Sequence, residues 1–150
     1  MARQLYENKK SLGIETKFAT WIQDIWKCQL NKLPISYALD YLAFRDEEAV
    51  SFVELKNRKC NKDTYPTYMI SLSKLLKAKD YKRNLGLSSM LCVSWQDQKG
   101  WLNLTNLTDF KIGFGGRYDR NDWQDVEPVI YIPIHKFNIF LNESELEYRY

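Results

Sequence analysis

Apolar residues at Ile14, Phe18, Trp21, Ile22, Ile25 and Trp26 recur every three to four positions. That spacing predicts an amphipathic helix from residue 14 to about 31, ending before Pro34, with its aromatic stripe turned to the core. The segments Ile35 to Phe44 and Ala49 to Lys56 are rich in residues that suit a pleated strand, and Arg45-Asp46-Glu47-Glu48 between them reads as a polar turn. Two strands joined in this way predict a hairpin. After a polar loop from Asn57 to Thr64, Asp63 or Thr64 can cap a helix that starts near Pro66 and buries Met69, Leu72, Leu75 and Leu76. Ser71, Lys74 and Lys77 lie off that buried stripe, and Gly86 ends the region. Ser89 to Trp95 reads as a short buried strand, and Gly100 to Leu107 and Phe110 to Arg117 as further strands. Ile130, Ile132 and Ile134 alternate through a last strand, which Pro133 assigns to an edge or a bulge. The order is helix, two strands, helix, strand and a strand-rich tail, without repeats or linkers, and it predicts one mixed α/β domain over residues 1–150.

Composition changes this picture little. At 150 residues, with 45% hydrophobic and 27% charged positions, the chain is long enough for one core that buries roughly two-thirds of the unfolded surface. No apolar run approaches the roughly 20 residues of a membrane span, and the polar start lacks the apolar centre of a signal peptide, which predicts a cytoplasmic protein of a bacterial or phage-infected cell. Cys28, Cys60 and Cys92 are odd in number and have no Cys-x-x-Cys pairing, so they read as reduced packing residues. The two Asn-Leu-Thr matches at Asn103 and Asn106 are chance occurrences in a chain that is not secreted. Charge is more informative. Residues 1 to 86 carry 16 Lys or Arg against 10 Asp or Glu, a net +6, while residues 87 to 150 carry 6 against 9, a net −3. The basic half suits a polyanionic partner and salt-dependent binding.

That half also holds the strongest candidate for chemistry. A hairpin over Ile35 to Lys56 brings Asp40 beside Glu54, and Glu54 and Lys56, two apart on one strand, share a face. Two ionised carboxylates held close repel, and a hard divalent cation such as Mg2+ compensates them through oxygen ligands, with the Leu55 carbonyl as a further donor. The Lys56 ammonium cannot ligate a cation, but it can hold a water against a phosphate or neutralise charge as phosphorus is attacked. The pattern reads as a metal-dependent nuclease site. His135 is the only histidine and sits in a strand pattern where packing is its expected role, so histidine-based nuclease designs and a Ser-His-Asp set have no support.

Leu39-Asp40 followed by Glu54-Leu55-Lys56, with a helix before and a helix after, resembles the PD-(D/E)XK nucleases of the restriction-endonuclease fold over residues 14 to about 96. Leu39 stands where the motif name has proline, a position without a chemical role. The resemblance implies an α/β fold with a mixed central sheet flanked by helices, extended here by the strand-rich tail. It implies Mg2+, with Mn2+ able to substitute, held by Asp40, Glu54, the Leu55 carbonyl and a glutamate from the first helix. Glu15 fits that last role best and Glu7 second. Lys74 matches a position on the following helix where relatives often place a polar residue near the scissile phosphate, although a solvated helix lysine explains it equally.

Chain length and the spacing of Glu15, Asp40 and Lys56 look like the small homing endonucleases of bacterial, particularly cyanobacterial, group I introns. That likeness implies a site-specific cutter of double-stranded DNA, working as a homo-oligomer (a dimer or tetramer) with no small-molecule cofactor and no membrane. A Holliday-junction resolvase of the same fold is the alternative, and a non-catalytic DNA-binding protein is the alternative from another class. Arg58, Lys59 and Lys62 follow the candidate strand as phosphate contacts. A ribbon from Phe110 to Tyr118 could enter the major groove and present Lys111, Arg117 and Arg120. Gly113-Phe-Gly-Gly116 lacks the Gly-Lys-Ser/Thr ending of a phosphate loop and is expected to form a turn or bulge.

Overall fold

Asp46 and Glu47 both take positive φ, 50° and 66°, as a two-residue hairpin turn of type I′ requires. They join β2 (Tyr41–Arg45) to β3 (Glu48–Asn57) as antiparallel neighbours, and the expected hairpin is present. The structure is a computed structural model and describes residues 9–34, 37–116 and 126–140. The strand expected over Ile35 to Phe44 is shorter than its composition suggested, and residues 35 and 36 lie outside the described residues. Asp40 sits in the bend just ahead of β2, where its carbonyl accepts the Leu33 N–H at 2.8 Å.

The first helix, α1, spans Lys9–Trp26 and ends earlier than the expected residue 31. Lys27 breaks it with φ 52°, and Arg45 closes its end by donating to the carbonyls of Trp26, at 2.8 Å, and Lys27, at 3.3 Å. Gln29–Lys32, expected as helix, forms β1 along β2. Only Leu30 of that strand is buried, so no alternation announced it and the pairing with β2 decides its state. Of the predicted stripe, Phe18 and Ile22 are buried, while Trp21 and Trp26 are half-buried and Ile14 is exposed.

The largest correction falls on residues 66–71. A helix starting near Pro66 is not formed. Thr67–Ser71 is β4, and α2 runs Leu72–Leu85. Its cap is Ser71, not Asp63 or Thr64, with the Ser71 Oγ accepting from the Ser73 N–H. Gly86 terminates it in the left-handed conformation at φ 74°. In β4 the buried residues are Tyr68 and Ile70, and Met69 is 40% exposed; on α2, Leu75 is buried and Leu76 is 53% exposed. The stretch obeys period two, with a partner strand some sixty residues further along the chain.

The remaining strands are β5 (Ser88–Ser94), β6 (Lys99–Asn103), β7 (Lys111–Gly116), β8 (Val126–Pro133) and β9 (Asn138–Ile139). They complete a six-stranded sheet in the order β1-β2-β3-β5-β6-β9 and a three-stranded sheet β4-β8-β7. Within the large sheet β3 and β5 are parallel, so a crossover must link them, and β4 and α2 supply it. Two expectations for the tail are corrected. Gly113-Phe-Gly-Gly116 is neither turn nor bulge but part of β7, paired in unbroken register with β8; glycine suits it there because a Cβ at Gly113 would meet the Tyr131 ring at 2.9 Å and one at Gly115 the Met69 Sδ at 2.7 Å. Pro133 ends β8, which is the middle strand of its sheet and not an edge. Ile134 and His135 follow in a short 3-10 turn, and His135 is exposed and not packed in a strand.

Two cores result. Phe18, Ala19 and Ile22 of α1 pack with Tyr41, Ala43, Val53, Leu55 and Cys92. The larger core joins Leu75 and Ala78 of α2 to Leu91 and Val93 of β5 and to Tyr68, Ile70, Ile130 and Ile132 of the smaller sheet. The three cysteines are free, with Cys92 buried. Among the described residues no helix is long and apolar enough to cross a membrane.

Candidate active site

Strand β3 is buried on both faces from Phe52 to Leu55, as a central strand of a covered sheet should be. Val53 and Leu55 face the α1 core, and alternation sends Glu54 and Lys56 to the opposite face. Glu54 is therefore a carboxylate only 1% exposed, at a depth where ionisable groups are rare unless paired. The pairing of Tyr41 with Val53 sets Asp40, one residue back, against Glu54. Asp40 is fixed through its Oδ2, which accepts the Leu55 N–H at 3.0 Å.

Two ammonium groups reach Glu54. Lys56 Nζ lies 3.3 Å and Lys74 Nζ 3.2 Å from its Oε1, and Lys74 also donates to the Ala38 carbonyl in the loop before Asp40. The Lys74 contact is short enough for a hydrogen bond, but neither Glu54 oxygen receives one of good geometry; we regard both contacts as ion pairs. Burial pushes the Glu54 carboxyl above its ordinary range, Lys56 opposes the rise, Asp40 adds to it and Lys74 opposes it. A buried carboxylate with unmet lone pairs beside a second carboxylate matches what a hard cation requires.

These groups line a cavity of about 440 Å³ together with Glu15, Phe18, Lys32, Leu33, Pro34, Tyr37, Leu39, Leu55 and Lys59. Glu15 thus reaches the same cavity as Asp40 and Glu54, but its carboxylate is already engaged. Its Oε2 lies 2.6 Å from Lys32 Nζ and accepts from the Tyr41 hydroxyl at 3.2 Å. Lys32 Nζ is also 3.9 Å from Asp40 Oδ1, bridging the two acids. Among the described residues no three His, Cys, Asp or Glu side chains converge to hold a metal ion. Two carboxylates suffice for Mg2+, which commonly takes one or two and fills its shell with water and substrate phosphate. The residues present fit that ion through Asp40, Glu54 and the Leu55 carbonyl.

Lys32 and Tyr41 were not foreseen as site residues. Lys32 had no signal, since β1 was not predicted, while Tyr41 could have been suspected as the neighbour of Asp40. The other predicted positions divide. Lys59 lines the cavity, and Arg58 lines an adjoining cleft. Lys62 lines neither: its side chain is only 11% exposed, with Nζ 3.6 Å from Asp63 Oδ1. Lys111 is exposed on β7, in the other sheet. Glu7, Arg117 and Arg120 lie outside the described residues.

Residues 1–140 match the family described as "Phage putative PDDEXK endonuclease". Among solved structures, Hjc from Archaeoglobus fulgidus, a Holliday junction resolvase from an archaeal hyperthermophile, matches with a TM-score of 0.53 at 12% identity. The match covers 92% of this chain and 95% of that one. At that identity it establishes a shared fold, the restriction-endonuclease-like one. No curated protein sequence matches.

Proposed function

The chain belongs to the phage PDDEXK endonuclease family and is a nuclease, and from that premise we propose that it hydrolyses DNA phosphodiester bonds with Mg2+ at Asp40, Glu54 and Lys56. The supporting observation is the Glu54 carboxylate, buried and without a hydrogen bond, against Asp40 and Lys56. Asp40, Glu54 and the Leu55 carbonyl would hold the ion. When bound, it would polarise the phosphate and acidify water. The Leu55 N–H orients Asp40. Lys74 ties α2 and the Ala38 carbonyl to Glu54 and so holds the acid in place. Lys56 donates a hydrogen bond to the attacking water and offsets the charge that develops on the phosphate. In this reading Glu15 acts through Lys32 and Tyr41 and not as a direct ligand. Products would carry 5′-phosphates.

The proposed substrate is double-stranded DNA, cut by a homo-oligomer because two antiparallel strands need two sites. The alternative substrate is a four-way junction: the fold is shared with a junction resolvase over nearly the whole of both chains, and a shared fold fits either reading. The homing-endonuclease reading rests on chain size and motif spacing. It needs a DNA-reading ribbon, of which β7 contributes Lys111 among the described residues. The test incubates the purified full chain with a synthetic four-way junction and, separately, with plasmid DNA and duplexes from the genome of origin, in Mg2+ or EDTA, using wild type and Asp40→Asn. Cutting of the junction alone selects the resolvase; cutting of a linear site alone selects the site-specific enzyme. Cleavage that persists in EDTA, or in Asp40→Asn, would overturn the assignment of the site.

A further inference from the structure

Glu54, Lys56 and Arg58 alternate along one face as β3 runs out, and Arg58 still donates its N–H to the Ser94 carbonyl at 2.9 Å, which continues the alignment with β5. Same-face residues two apart are about 6.6 Å apart, so a carboxylate, an ammonium and a guanidinium stand in a row. Lys56 and Lys74 form a wall shared by two depressions. On one side is the cavity of the candidate active site. On the other is a cleft of about 230 Å³ lined by Lys56, Arg58, Ser71, Lys74 and Glu127, over a floor that includes Ile70 and Val129. Counting Glu54, which both lysines contact, three cations face two carboxylates, and the surroundings of the cleft stay positive by one. The Arg58 guanidinium lies over the Tyr68 ring, 4.8 Å from its centroid, and Tyr68 is itself wedged edge-on against Trp95 and Phe137. Stacking on a fixed ring restrains the guanidinium, which lowers the entropy lost when it binds an anion. The aromatic mount has a structural use as well, but packing alone does not require a cation at Arg58.

We propose that this cleft is a second phosphate subsite, in which Arg58, with Lys56 and Lys74, binds the phosphodiester next to the one being cut on the same strand. The inference rests on the nuclease reading for the phosphate in the active site, but the cleft can be tested without catalysis. The probe is a 5′-labelled tetrathymidylate titrated into the full-length protein in Ca2+, followed by fluorescence anisotropy from low to moderate salt. Arg58→Gln should weaken binding about 10-fold and reduce the slope of log K against log salt by about 0.7, the value for one lost phosphate contact on a single strand. Lys77→Gln, which removes the same charge from the exposed face of α2, should leave both unchanged. Arg58→Lys should recover part of the affinity, and thermal melting of each variant shows whether the fold survived. Equal losses in Arg58→Gln and Lys77→Gln, or no binding of the probe by folded wild type, would overturn the subsite. If Arg58→Gln behaves as expected while wild type cuts neither the four-way junction nor duplexes from the genome of origin in Mg2+, the cleft stands as a phosphate-binding site and the assignment of cleavage to Asp40, Glu54 and Lys56 falls.

Discussion

Glu54 carries a cost in stability for the sake of its position. Its carboxyl is driven upward mainly by burial, and a group whose folded pKa exceeds its unfolded one contributes stability that is complete below the unfolded value and lost as pH rises through the folded value. The window opens near the ordinary glutamate value of 4.5 and closes above the raised one. Glu54→Gln removes the charge and keeps the shape; Lys56 and Lys74, both partly exposed, can turn to water. The variant should therefore lose DNA cleavage and gain stability, by roughly 1–3 kcal/mol at pH 8, the usual penalty of an unsatisfied buried group. Melting curves at pH 4.5 and pH 8 check this, since the advantage over wild type should be larger at the higher pH. A constant difference would mean that Glu54 does not titrate in the window.

At the scale of elements, two left-handed positions separate what local sequence specifies from what it tolerates. Gly86 ends α2 with φ 74° and open space where a Cβ would stand, so Gly86→Ala meets only the conformational cost of about 1–2 kcal/mol, seen as a drop of roughly 2–8 °C in melting temperature. Asp46 and Glu47 hold positive φ without being glycine, so replacing the pair with Asn-Gly should raise the melting temperature by a few degrees, at about 1 kcal/mol of relieved strain. The hairpin was legible because its turn is polar, its flanks are apolar, and its partners are neighbours in the chain. The segment Thr67 to Ser71 was not. Tyr68 and Ile70 fit a strand as well as Met69, Leu72 and Leu76 fit a helix, and the choice was made by β8, which pairs with Thr67 to Ser71 from a distant part of the chain. β1 has even less local signal, with one buried residue in four.

Across the whole molecule, the site depends on parts brought from separate elements: Asp40 from the bend before β2, Glu54 and Lys56 from β3, Lys74 from α2, and Glu15 of α1 with Lys32 of β1 at the rim. Mg2+ that binds the folded site and not the unfolded chain stabilises by mass action, about 2.7 kcal/mol at a concentration 100 times its Kd. Titration of MgCl2 into the full chain should raise the melting temperature of wild type, and should leave Asp40→Asn and Glu54→Gln unmoved. An equal rise in all three proteins would point to general salt screening and not to a site at these carboxylates.

The chain's own order of residues determined the hairpin, the shared face of Glu54 and Lys56, and the α/β class, because each of these depends on periodicity and on partners close in sequence. Tertiary structure alone decided that Glu54 is buried, that Lys74 reaches it from α2, that Lys32 ties Glu15 to Asp40, and that residues 67–71 extend into a second sheet. Burial and charge pairing are properties of groups that meet only after the chain has closed on itself, and no local pattern encodes which distant side chains will arrive.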